Sequence, residues 1–149
     1  MTTKIHILCD GNGHPLHFHL TAGQTHESTV LDTLLIGADA TVTNGENEPV
    51  AWPVALAGDK GYRADWIDDY LIDLGIRPVI PSKANEDSEA RPVEFDRDAY
   101  RRRNIVERLI GWLKENRRIC SRFEKTAKNF GGFLKMAFIH RYLRIATTS

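Results

Sequence analysis

Cysteine is nearly absent: Cys9 and Cys120 are the only two in a chain of 149 residues. They form no CxxC pair, so a disulfide framework is not expected, and a reducing cytoplasm is the expected compartment. Long apolar runs are missing too. No stretch approaches the roughly 18 uninterrupted apolar residues of a membrane span, and no basic segment leads into an apolar one as in a secretory signal. No membrane partner is therefore expected. Internal repeats and low-complexity tracts are also lacking. What remains is 42% hydrophobic and 27% charged, ordinary values for one globular domain over residues 1–149.

Net charge is zero overall, but the two ends differ in sign. Residues 1–80 hold 4 basic against 11 acidic side chains, a net of −7, and residues 81–149 hold 16 against 9, a net of +7. From Tyr100 onward the balance is 13 to 3, or +10. A basic tail of this kind suits a polyanion such as DNA, with a solvated basic helix as the alternative.

Hydrophobic patterning predicts an α/β chain. Lys4–Cys9 and Pro15–Leu20 alternate around Asp10-Gly11-Asn12-Gly13, which reads as a β-hairpin. A helix of about ten residues is expected next, capped by Thr25 or Ser28, with Val30, Leu31, Leu34 and Leu35 on one face, followed by a polar loop over 37–50. The apolar run 53–57 stops on Gly58-Asp59 and reads as a buried strand. A helix over about 64–74, ended by Gly75, leads to a strand at 78–81, giving a parallel βαβ unit. Residues 82–98 read as a flexible loop, and helices are expected over roughly 98–117 and 128–146.

On a single helix over 98–117, with about 100° per residue, Lys114, Glu107 and Tyr100 fall within about 60° of Arg103. Ile105, Val106, Leu109, Ile110, Trp112 and Leu113 occupy the other side. An Arg103–Glu107 pair alone would be an ordinary i,i+4 contact worth a few tenths of a kcal/mol. The spacing carries more: Tyr, two residues, Arg, three residues, Glu, six residues, Lys.

That spacing resembles the signature of a large group of bacterial insertion-sequence transposases of the DDE type. Ala57-Gly58-Asp59-Lys60-Gly61-Tyr62 resembles the strand end that carries their second catalytic Asp. Thr2–His6 with Cys9–Gly13 resembles their hairpin, and Thr21–His26 the turn after it. The resemblance implies a ribonuclease-H-like fold, a mixed sheet with flanking helices, and DNA end cleavage followed by strand transfer at a two-metal Mg²⁺ or Mn²⁺ site. It implies that Asp59 and Glu107 are metal ligands and catalytic carboxylates. Tyr100, Arg103 and Lys114 become signature residues that grip phosphate, and Arg101, Arg102, Arg108, Arg117 and Arg118 join them as candidate DNA contacts. The implied partners are element ends and target DNA.

The family's first catalytic Asp lies on a strand before the hairpin, where this chain offers only Met1. On this reading the chain is an N-terminally truncated catalytic domain, incompetent alone. It would be either a decayed gene product or the downstream half of a frameshifted one, with an upstream half or full-length transposase as partner. Asp10, in the hairpin turn, is a poor substitute. The rivals are a non-catalytic fragment that binds DNA or transposase and inhibits it, and a ribonuclease-H-type nuclease without joining activity. His17 and His19 share a strand face and are expected to face solvent rather than bind zinc. Phe130, Phe133, Leu134, Ala137, Phe138 and Leu143 are expected to be core. Lys125, Lys128, Lys135, Arg141 and Arg144 either contact DNA or form a solvated face.

Overall fold

The computed structural model describes residues 3–120 and 127–148, and the side chains of 116–130, 133, 147 and 148 lie outside that description. The chain divides into two compact units, Met1–Gly23 with Asn104–Ser149, and Gln24–Arg103. Among the described residues the strands form two separate two-stranded sheets rather than one mixed sheet.

In the first unit, β1 (Thr3–Cys9) pairs antiparallel with β2 (Pro15–Ala22), in a register that opposes Ile5 to Leu20 and Ile7 to Phe18. These four apolar side chains pack against Leu113, Leu134 and Phe138. The period of two along each strand is what gathers them on one face. Leu113 belongs to α4 (Asn104–Cys120), and Leu134 and Phe138 to α5 (Ala127–Thr148). Phe18 and Phe138 meet edge to face, their centroids 5.8 Å apart. The hairpin turn needs Gly13, whose φ is +81°. A Cβ there would also stand 3.0 Å from Ile105 Cγ2. Leu143, expected in the core, is 59% exposed, because five residues at about 100° each turn it away from the face of α5 that carries Leu134 and Phe138. Phe130 and Phe133 lie outside the described side chains.

In the second unit, a 3₁₀ turn (Glu27–Thr29) precedes α1 (Leu31–Thr41). Neither Thr25 nor Ser28 caps it: the cap positions are His26 and Val30, without side-chain bonds. The helix also continues five residues into the expected loop, to Thr41. β3 (Ala55–Ala57) runs parallel to β4 (Arg77–Val79), connected through α2 (Asp65–Asp73), so the βαβ unit is present. β3 is shorter than expected and half-buried rather than buried, since β4 is its only pairing partner among the described residues. Ile67 and Leu71 are the buried face of α2, together with Ile76, Val79 and Ile80 beyond it.

Gly75 ends α2 at φ +75°, with nothing within 4 Å of where a Cβ would stand. Gly75→Ala should therefore cost only the left-handed backbone strain, about 1 kcal/mol. The midpoint of urea unfolding measures it, and an unchanged midpoint would show that the conformation does not depend on glycine there.

The segment 82–98 is not a loose loop. Arg91 donates from Nε and Nη2 to both oxygens of Asp68, at 2.8 and 2.9 Å, and from Nη1 to the Ile80 carbonyl at 2.7 Å. Arg63 donates to Glu86 and, at 2.7 Å, to Asp65. The acidic and basic residues that make this stretch look solvated are the ones that tie it to α2.

The single helix expected over 98–117 is two. α3 (Arg97–Arg101) is one short turn, capped by Asp96, whose Oδ1 accepts from Ala99 N at 2.9 Å. Arg103 N then bonds to Tyr100 O, three residues back, at 3.0 Å. This tighter turn interrupts the i→i−4 ladder before α4 begins at Asn104.

Candidate active site

Asp59 stands two residues beyond the end of β3, on the N-cap of a 3₁₀ turn formed by Lys60–Tyr62. Its side chain is fixed locally, because Oδ1 accepts from Gly61 N at 2.8 Å. Gly58, one residue earlier, continues the sheet by donating to the Val79 carbonyl at 3.2 Å. Asp59 is thus held at the C-terminal mouth of a parallel strand, on rigid backbone.

Sequence reasoning missed Glu27. A Cβ placed on Gly61 would lie 2.9 Å from Asp59 Oδ1 and 3.2 Å from Glu27 Oε2. The two carboxylates therefore border one space, which is kept open because residue 61 has no side chain. Tyr62 senses both. Burial first, then the charges of Asp59 and Glu27, push its hydroxyl up to about 12. The only signal in the sequence was a Glu soon after the hairpin, and nothing there indicated its distance from Asp59.

That space tests whether a hard divalent cation suits these residues. Its border is carboxylate oxygen, the donor type Mg²⁺ and Mn²⁺ prefer, so the residues fit. Among the described residues no group of three or more His, Cys, Asp and Glu side chains is placed to hold a metal.

The four signature residues do not share one helix. Tyr100 lies on α3 and Arg103 just after it, both in the second unit, and the Arg103 guanidinium sits 5.2 Å from the Tyr100 ring centroid. That cation–π contact fixes the two relative to each other. Phe95 supports the ring at 5.3 Å. Glu107 and Lys114 lie on α4 in the first unit, both exposed. Glu107 is in the first turn, where a negative charge suits the helix dipole. Lys114 borders a cavity of about 170 Å³ with Ile5, Ile7, Ile110, Leu113 and Leu134.

Among the basic residues, Arg101, Arg102 and Arg108 are exposed, and Arg101 comes no closer than 3.9 Å to Asp98. The side chains of Arg117, Arg118, Lys125 and Lys128 lie outside the described residues. Arg141 is not simply solvated: its guanidinium lies 5.0 Å from the Trp112 ring centroid.

Asp10 has a structural task. Its Oδ1 accepts from Asn12 N and His14 N, both at 2.9 Å, and its Oδ2 lies 3.0 Å from His14 Nδ1. Burial opposes the charge, but these hydrogen bonds hold the carboxyl below its usual value. His17 and His19 are half-buried rather than solvent-facing. His6, on the paired strand, is buried with Nε2 2.8 Å from Thr21 Oγ1. Burial, then His19 and Lys135, push the His17 imidazole down.

Residues 1–140 match the family described as Transposase DDE domain. The chain is 33% identical over 134 residues to a Burkholderia cepacia protein named as a transposase for insertion sequence element IS402. That match covers 90% of this chain and 59% of the relative, so the chain spans well under two thirds of that protein's length. It is 29% identical over 144 residues to a Brucella ovis protein named as a transposase for insertion sequence element IS6501, covering 97% of this chain and 100% of the relative. No solved structure matches significantly.

Proposed function

The chain belongs to the transposase DDE domain family, and from that membership we propose that it carries carboxylates of a metal-dependent centre that cuts and joins DNA during transposition. The observation that carries this reading is Asp59, fixed at the mouth of β3 beside a space bordered by carboxylate oxygen. Asp59 and Glu107 are the proposed metal ligands. When bound, Mg²⁺ or Mn²⁺ supplies charge stabilisation to the attacking and leaving oxygens of a phosphodiester. Arg103, oriented by Tyr100, and Lys114 bind phosphate oxygens and hold the strand against the carboxylates. A ribonuclease-H-like topology belongs to the same proposal, with element ends and target DNA as substrates and a longer transposase as partner.

A narrower reading of this chain alone is that of a DNA- or transposase-binding fragment without joining activity. The discriminating experiment scores nicking and strand transfer separately, with Mn²⁺ and DNA bearing element ends. Nicking without joining supports a nuclease instead. Binding without either supports the inhibitory fragment.

DNA binding by the region from Tyr100 onward, with its charge of +10, should be largely independent of base sequence and steeply salt-dependent. Replacing Arg101 and Arg102 by Gln should lower the slope of log affinity against log salt by about one unit for each phosphate that is no longer neutralised. Fluorescence anisotropy across a salt series measures it. Affinity that stays flat with salt would remove the electrostatic basis of the proposal.

A further inference from the structure

We infer that Glu27 is a second carboxylate of the cation site at Asp59, a ligand to the same divalent ion. The inference rests on the proposal that Asp59 holds a catalytic metal, and it adds a residue from a different part of the chain. Glu27 opens the 3₁₀ turn Glu27–Thr29, Asp59 precedes the turn Lys60–Tyr62, and these two turns pack against each other inside one unit. Each residue is tied to its own turn: Val30 N donates to the Glu27 carbonyl at 3.1 Å, and Gly61 N donates to Asp59 Oδ1 at 2.8 Å. Their side chains converge on the point where residue 61 would carry a Cβ, 2.9 Å from Asp59 Oδ1 and 3.2 Å from Glu27 Oε2.

Glycine at position 61 does not owe its place to backbone conformation, since its φ is not in the left-handed region. The space itself explains it, because any Cβ there would press on the Asp59 carboxylate. Two carboxylates that border one small space offer a divalent ion the oxygen donors it prefers. Mg²⁺ is commonly held by one or two carboxylates, with water and substrate phosphate completing its shell. Asp59 with Glu27 supplies that number within one unit.

The test is Mn²⁺ binding by the whole chain, read by isothermal titration and by the loss of the free-ion electron paramagnetic resonance signal. Asp59→Asn should abolish binding, Glu27→Gln should weaken it tenfold or more, and Gly61→Ala should weaken it by filling the space. If Glu27→Gln binds within twofold of the unmodified chain while Asp59→Asn does not bind, the inference falls and the proposed function stands. If Asp59→Asn binds like the unmodified chain, the metal reading of Asp59 falls and the inference with it. A second measurement needs no variant. With Fe²⁺ in place of Mn²⁺, plus ascorbate and peroxide, locally generated radicals should cut the backbone near both Glu27 and Asp59. Cutting near Asp59 alone would overturn the role of Glu27 even if Glu27→Gln failed to fold.

Discussion

Asp59→Ala or Glu107→Ala is expected to lower metal-dependent DNA joining by at least about a hundredfold, measured in the longest transposase that contains this chain. Displacing reacting groups by about 1 Å already costs that much, and removing a ligand displaces the ion further. The 149-residue chain alone is expected to give no joined product, since the proposed two-metal centre takes a third carboxylate besides Asp59 and Glu107. The assay uses Mg²⁺ or Mn²⁺ and DNA carrying the element's ends. Robust joining by the unmodified chain, abolished by Asp10→Ala, would overturn this expectation and make Asp10 a ligand. The structure gives Asp10 other work, with its carboxylate engaged by Asn12 and His14 in the hairpin turn.

The second large effect concerns stability. Asp68 is 1% exposed and accepts two hydrogen bonds from Arg91, while Arg63 Nη1 lies 3.5 Å from the same carboxylate. Asp68→Ala would leave the buried Arg91 guanidinium without the carboxylate that pairs it, while Arg63 keeps Glu86 and Asp65. Removing one partner of a buried pair costs about 3–5 kcal/mol, because the remaining charge cannot return to water. Arg77→Ala is the contrast. Its partner Asp96 is 2.8 Å away, but both are substantially exposed, so the loss should stay below about 1 kcal/mol. Urea denaturation of both variants reads the difference. Equal losses would mean that the Asp68 cluster stays wet and contributes no more than a surface pair.

These pairs also mark where pattern reading falls short. Composition treats Arg63, Asp68, Glu86 and Arg91 as solvated charges, and the stretch 82–98 as a loop. Their burial depends on partners up to 23 positions apart, which no local window contains. The helix at 98–117 fails for a different reason. The wheel assumes constant rotation, and a single i→i−3 bond from Arg103 to Tyr100 breaks it, leaving Tyr100 on α3, Arg103 between the helices, and Glu107 and Lys114 on α4.

Local physics in the sequence was enough for the hairpin with its Asp-Gly-Asn-Gly turn, the βαβ unit with Gly75 after its helix, the charge asymmetry, and Asp59 at a strand end. Each depends on neighbours a few residues away: side-chain alternation, a glycine at positive φ, a carboxylate accepting from the next turn. Spacing over fifteen residues was enough to indicate the family. Only the tertiary structure decided that Glu27 borders the Asp59 space, that Asp68 holds the 82–98 segment, and that β3 is half-buried. Those outcomes turn on which distant turns and helices pack together. Packing of that kind is set by the sum of many weak contacts across the chain, and no short motif encodes it.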